Sequence, residues 1–224
     1  MPNILCIETS TTMCSVALCN EDRIIALKET NEGYTHAENL HVFIDEVLKQ
    51  SGIAKKDLNA VAVGKGPGSY TGLRIGVSAA KGMAYALGIP LISVNTLFNM
   101  ALKVKQQFVQ KEVLFCPMLD ARRMEVYTAT YDKILQEVTP TRALVIDESS
   151  GSQFESDKHY IFFGDGMPKC KEALAELKNA SFVENIFPSA LNMKDYVLQA
   201  FKEKRFEDVA YFEPFYLKEF FTGK

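Results

Sequence analysis

The segment Gly66-Pro67-Gly68-Ser69-Tyr70-Thr71-Gly72-Leu73-Arg74-Ile75-Gly76 joins an apolar run, Ala60 to Val63, to a helical pattern that continues to about Leu87. Strand, glycine-rich turn and helix in that order are the units of an α/β fold. Gly66, Gly68 and Gly72 permit a tight turn and close backbone approach, and free N–H groups at a helix start favour anions. Ser69 and Thr71 supply hydroxyls that can donate or cap the helix. No Gly-Lys-Ser/Thr closes the segment, so it is not a Walker loop, and it does not match G-x-G-x-x-G. A turn that needs glycine for geometry alone accounts for the residues equally well.

Behind the turn, Gly72, Gly76, Ala80 and Ala84 recur every four residues and leave one helix stripe almost bare. A glycine inside a helix costs about 1 kcal/mol relative to alanine. Gly72, Gly76 and Gly82 therefore need an offsetting gain, and close helix packing is the natural one. The partner is either the first helix of this chain or a helix of another subunit. On this reading the segment is chiefly the entry to a docking surface, with anion binding a minor role.

Working outward, the apolar runs Ile4 to Ile7, Ser15 to Leu18 and Ile24 to Leu27 are separated by short polar turns and predict an antiparallel meander. Thr35 and Glu38 form a T-x-x-E capping box. Leu40, Phe43, Ile44, Val47 and Leu48 then follow at helical spacing, and Gly52 is placed to end the helix. Gly88 and Pro90 stop the second helix, Leu91 to Val94 is a strand, and a helix is expected near Thr96 to Phe108. These elements predict a first lobe over residues 1–108.

A second lobe over 109–224 starts in the same way, with the run Val113 to Leu119 ending at Asp120, the turn Ala121-Arg122-Arg123 and the run Val126 to Tyr131. Glu8 and Asp120 each close a first strand, a weak internal repeat. Further on are a loop at Ser149 to Asp157, a strand at Tyr160 to Phe163, the turn Gly164-Asp165-Gly166, and helices at Lys169 to Leu177 and Leu191 to Lys204. The aromatic tail Tyr211 to Phe221 is expected to be ordered, and the final helix or tail could pack back on the first lobe.

The 224 residues suffice for two small lobes, and a formal net charge of -3 argues against a chain that holds a phosphate backbone unaided. The five cysteines include no C-x-x-C pair, which predicts reduced buried thiols. No run approaches the roughly 18 apolar residues of a membrane helix, so a cytoplasmic protein with no membrane partner is expected.

Candidate chemistry is sparse. Glu8 and Asp120 could serve a phosphate or a metal, but Thr9, Ser10 and Thr11 follow Glu8 where a hydrolytic site would carry glycine. His36 and His41 stand at i,i+5, about 140° apart on a helix, which fails as a shared metal site, and no metal ligand set is assigned. An anion or nucleotide, if held, would meet Glu8, Ser10, Gly68, Ser69, Asp120 and Arg122.

The glycine-rich segment closely resembles the GPGSFTGLRIG signature of the bacterial TsaB family, also called YeaZ, with Tyr70 as the one difference. His36-Ala37-Glu38, Asp120-Ala121-Arg122-Arg123 with Glu125-Val126-Tyr127, Gly164-Asp165-Gly166 and Pro214-Phe215-Tyr216-Leu217 resemble its other landmarks in order. The resemblance implies an actin/hexokinase/Hsp70-like (ASKHA) fold, two related lobes with mixed sheets flanked by helices. It also implies a non-catalytic scaffold that dimerises with the larger paralogue TsaD, joins TsaE in a ternary complex, meets tRNA through the complex and can form a homodimer. The reaction served is formation of threonylcarbamoyladenosine beside the anticodon of tRNAs reading codons that begin with adenosine.

The docking surface expected on this basis comprises His36, Leu40, Phe43, Ile44 and Val47 of the first helix with Gly72, Ile75, Gly76, Ala79, Ala80 and Met83 of the second. No tightly bound cofactor is expected, and ATP or ADP would bind only at a vestigial or inter-subunit site. The alternative is an ATP-dependent transferase or metallopeptidase acting in its own right, with Glu8 and Asp120 essential.

Overall fold

The structure is a computed structural model that describes all residues except 34, 109–111, 148, 156 and 219–224. It divides into two compact units: Met1–Asn99 with Pro188–Lys224, and Met100–Phe187. The sequence pattern places one division after residue 108, whereas the chain divides at Asn99/Met100 and again at Phe187/Pro188.

In the first unit, β1 (Ile4–Glu8), β2 (Cys14–Cys19) and β3 (Ile24–Thr30) form the expected meander. Helix α1 (His36–Ser51) follows, then β4 (Ala60–Gly66), α2 (Tyr70–Leu87) and β5 (Leu91–Asn95). The sheet order is β3-β2-β1-β4-β5, with β4 and β5 parallel to β1. β1 is apolar from Ile4 to Ile7 because both its faces are covered. Leu5 and Ile7 join Leu40, Ile44, Val47 and Val77 of α1 and α2. Ile4 and Cys6 join Met193, Val197 and Leu198, contributed by the 3-10 turn Ala190–Met193 and by α5 (Lys194–Lys202). A helix from the end of the chain thus supplies the second layer of the first sheet.

Gly52 and Gly88 end their helices in left-handed backbone, as the pattern requires. The capping box does not form: Thr35 makes no side-chain cap bond, and its Oγ1 instead accepts from Asn39 Nδ2 at 2.8 Å.

Helix α3 (Thr96–Lys105) runs from the last residues of the first unit into the second and stops short of Phe108. The second sheet contains β6 (Leu114–Asp120), β7 (Glu125–Tyr131), β8 (Glu137–Val145), β9 (Tyr160–Phe163) and β10 (Ala180–Val183) in the order β10-β9-β6-β7-β8. Its pairings repeat the first sheet one for one: β6 with β7 and β7 with β8 antiparallel, β6 with β9 and β9 with β10 parallel. Helix α4 is only Met167–Cys170, continued by turns where a helix to Leu177 is expected. Phe154, Tyr160, Phe162 and Phe182 pack with ring centroids 5.1–5.9 Å apart over this sheet.

Glu8 is the last residue of β1 and pairs with Ser15 at the end of the β1–β2 hairpin, and Asp120 is the last residue of β6 and pairs with Val126 at the end of the β6–β7 hairpin. The two carboxylates thus each close the first strand of their sheet, as the sequence pattern predicts.

Candidate functional site

The glycine-rich turn is built around the chain's own backbone. Gly66 has φ 107, and a Cβ on Gly68 would stand 2.2 Å from the Ser10 carbonyl oxygen. That carbonyl accepts from Ser69 N at 2.7 Å. At the start of α2, Ser69 Oγ accepts from Gly72 N at 3.3 Å and Ser69 O from Leu73 N at 2.8 Å. The N–H groups of Ser69, Gly72 and Leu73 are thus committed internally, and Ser10 is 1 % exposed. Ser69, not the exposed Thr71, is the cap.

The small-residue stripe accommodates Thr9. A Cβ on Gly72 would meet Thr9 O at 2.1 Å, and one on Gly76 would meet Thr9 Oγ1 at 2.1 Å. Thr9 Oγ1 in turn donates to Gly72 O at 2.8 Å. The offset for these helix glycines is therefore chiefly close approach of the β1–β2 turn, with His36 of α1 also 3.3 Å from a Cβ on Gly72. Ala80 and Ala84 continue the stripe into the core, whereas Gly82 is exposed with open space beside it.

This packing revises the expected docking surface. His36, Leu40, Ile44, Val47, Gly72, Gly76 and Ala80 are buried within the first unit. His36 Nε2 lies 2.7 Å from Thr11 O, and burial lowers the imidazole pKa against the raising effect of that hydrogen bond. Phe43, Ile75, Ala79 and Met83 are only partly buried at the margin of the same core. On α2 the last three recur every four residues, and Val42 and Tyr85 beyond them are exposed.

Glu8 is fully buried. Its Oε1 accepts from Ser10 N at 2.9 Å and its Oε2 from Asn99 Nδ2 at 3.0 Å. Burial raises its pKa, opposed by the hydrogen bonds from Ser10 and Asn99. A Cβ on Gly64 would fall 2.5 Å from both carboxylate oxygens, so the backbone seals the group. Asn99 extends the network through its Oδ1, which accepts from Ser189 N at 3.4 Å and Asn192 Nδ2 at 3.2 Å. Ser189 and Ser15 both donate to Glu29 Oε2, at 2.7 and 2.9 Å. The sequence carries no local signal for this network, since Ser15 and Ser189 stand 174 residues apart.

Asp120 is exposed and ion-paired with Lys169. Its Oδ1 also accepts from Arg122 N at 2.9 Å. Lys169 Nζ donates further to Arg123 O and Glu125 O, each at 2.7 Å. Lys169 sits in what reads as an ordinary amphipathic stretch, and its clamp role was not legible there. His41 is exposed, and His159 Nε2 lies 2.9 Å from Ser181 Oγ. Among the described residues no group of three His, Cys, Asp or Glu side chains could hold a metal ion, and no helix is long and apolar enough to cross a membrane.

The chain's end straps α2. Glu207 N donates to Leu91 O at 2.8 Å and Phe215 N to Lys65 O at 2.7 Å. Lys81 Nζ donates to Phe212 O at 2.6 Å. Tyr216 packs on Tyr70 with centroids 4.9 Å apart, and the Arg74 guanidinium lies 4.6 Å from the Tyr70 ring centre. Pro214 to Leu217 thus sits against the helix that the glycine-rich turn opens.

A mixed five-stranded sheet repeated with the same order and the same parallel and antiparallel pairings defines a duplicated α/β protein of the actin/hexokinase/Hsp70-like class. Residues 31–217 match the family model described as "TsaD: tRNA N6-adenosine threonylcarbamoyltransferase". The tRNA threonylcarbamoyladenosine biosynthesis protein TsaB of Escherichia coli is 32 % identical over 223 residues, covering 96 % of this chain and 94 % of that protein. TsaB of Bacillus subtilis is also 32 % identical, over 78 % of this chain and 76 % of its own length. YeaZ from Pseudomonas aeruginosa superposes with a TM-score of 0.82 at 26 % identity, covering 97 % of this chain and all of that one. The chain belongs to the TsaB (YeaZ) family.

Proposed function

We propose that this chain is a non-catalytic subunit that docks on a TsaD-type transferase and supports formation of threonylcarbamoyladenosine in tRNA. The names of its relatives and the TsaD family model support a part in that modification. The observation that carries the non-catalytic reading is the state of the two strand-end carboxylates. Glu8 is sealed under Gly64 with its oxygens bonded to Ser10 and Asn99, and Asp120 is committed to Lys169 and its own turn. Glu8 is closed to a substrate, while Asp120 reaches solvent already paired with Lys169.

Docking uses the outward face of α1 and α2. Phe43, Ile75, Ala79 and Met83 supply apolar contact, while the buried stripe beneath them fixes the separation of α2 from the β1–β2 turn. The residues expected at the interface thus divide into a contact layer and a supporting layer. The same face would serve a second copy of this chain when no transferase is present. TsaE and tRNA join through the assembled pair, within the cytoplasm.

Reconstitution with the purified transferase tests this reading. Ala79→Glu places a charge on the contact layer, at the partly buried margin of the core. It is expected to abolish co-elution with the transferase and reduce tRNA modification to the level seen without this chain. Full modification by the transferase without this chain would sink the proposal.

A further inference from the structure

The turn between β6 and β7 is the one place among the described residues where two consecutive non-glycine residues adopt left-handed backbone, Arg122 at φ 70 and Arg123 at φ 48. Hairpin positions of this kind favour Gly, Asn or Asp, because left-handed backbone costs other L-residues about 1–2 kcal/mol each. The β6–β7 hairpin therefore carries a cost that cheaper residues would avoid.

The hydrogen bonds that hold the turn use backbone groups and leave both guanidinium groups out. Glu125 N donates to Arg122 O at 3.1 Å, and Asp120 N donates to Asp165 Oδ1 at 3.1 Å. Asp120 Oδ1 receives Arg122 N, while Lys169 Nζ binds Asp120 and the carbonyls of Arg123 and Glu125. Lys169 neutralises Asp120, the carboxylate two residues before Arg122. Arg122 and Arg123 are exposed, and among the described residues neither guanidinium has a hydrogen bond or an ion pair. A strained, clamped turn thus presents two unspent cationic forks. Backbone held in a costly conformation by its surroundings is a mark of a functional position.

We propose that the Arg122–Arg123 turn is a phosphodiester-binding site for the backbone of the tRNA handled by the complex. The proposal rests on the reading that this chain works in a tRNA-modifying assembly. Planar guanidinium groups match phosphate oxygens in pairs, which a lysine ammonium does not. A contact of this kind positions RNA without reading its sequence. It also suits a chain of net charge -3, where phosphate recognition must be local.

The test measures binding of an unmodified tRNA transcript to the complex of this chain with its transferase between 50 and 200 mM salt. For Arg122→Gln with Arg123→Gln, weaker binding is expected, with the slope of log affinity against log salt reduced by about 1 per arginine. Arg122→Asn with Arg123→Gly relieves the backbone, so this variant is expected to lose the same binding while its thermal midpoint holds or rises. Co-elution with the transferase is measured separately and is expected to be unchanged. If wild-type chain and transferase do not associate, the reading above fails, and the titration is run on this chain alone. Unchanged affinity and salt slope in the variants overturn the phosphate site. So does weakened co-elution with unchanged tRNA binding by the cross-linked complex, which would assign the turn to an acidic protein surface.

Discussion

The first strands of the two sheets share one topology but end in different ways. β1 ends at a carboxylate with no exposure, under a glycine whose missing side chain makes room for it. β6 is two residues longer and ends at a carboxylate in solvent, tied to Lys169. In both sheets a glycine near the end of the parallel neighbour strand lies against the first strand, Gly64 against Glu8 and Gly164 against Met118. The shared glycine belongs to the architecture, since it lets two strands converge. The residue it faces is free to change, so the duplicated fold carries two unlike strand ends.

Substituting these glycines breaks the comparison most severely. A Cβ on Gly164 would stand 2.2 Å from Met118 O, and the residue holds φ 108. Gly164→Ala is expected to cost about 3 kcal/mol or more, since backbone cannot withdraw and left-handed strain adds to the clash. Gly64→Ala meets the end of a side chain instead and is expected to cost about 2 kcal/mol. Urea unfolding reads both. The contrast sharpens in double mutants. Adding Glu8→Ala to Gly64→Ala should show favourable coupling of about 1 kcal/mol or more. Adding Met118→Ala to Gly164→Ala should show none, because the obstacle is the Met118 backbone. Equal coupling at both sites would mean that the glycines do not seal the two ends differently.

Removing the carboxylates themselves comes next in size. Glu8→Ala strands the buried Ser10 N–H and the Asn99 amide and opens a cavity, for an expected loss of about 3 kcal/mol. Asp120→Ala leaves Lys169 with two carbonyl acceptors and access to water, and about 1 kcal/mol or less is expected. Denaturant midpoints of the two variants decide the matter. Comparable losses would contradict the sealed and open description.

Much of the first unit was legible because its elements repeat apolar residues at clear periods and end at glycines. Gly52 and Gly88 stop α1 and α2 as read. β8 escaped because Glu137 to Arg142 is polar and contains Pro140, the composition of an edge strand and not of an apolar run. β10 is four half-buried residues, too short to show alternation. The small-residue stripe announced close approach but not the approaching group. Thr9 lies 63 residues from Gly72, and nothing local distinguishes a loop from a partner helix. Glu8 and Asp120 close their strands as read, because strand ends are legible from polarity, but their unlike surroundings are not. Lys169 and Asn99 acquire their roles only through residues at least 44 positions away.

The smallest expected effect concerns pH and isolates what burial does to Glu8. Its pKa is raised in the folded chain, chiefly by burial, relative to about 4.3 for an unperturbed glutamate. Between those two values the native state binds more protons than the unfolded state. Stability contributed by this group therefore falls as pH rises from about 4.3 through the folded pKa. His36 acts in the opposite sense, because its folded pKa is lowered and the unfolded chain takes up the proton first as pH drops below about 6.5. Glu8→Gln removes the first of these slopes and keeps the second. Its Oε1 can still accept from Ser10 N, but its amide meets the Asn99 amide, so about 1 kcal/mol is lost at neutral pH. Measured against pH, the gap between wild type and Glu8→Gln should be larger on the acid side of the folded pKa and narrow as pH rises through it. If the Glu8→Gln gap stays constant across the range, burial does not govern this carboxylate, and the first strand end is no more sealed than the second.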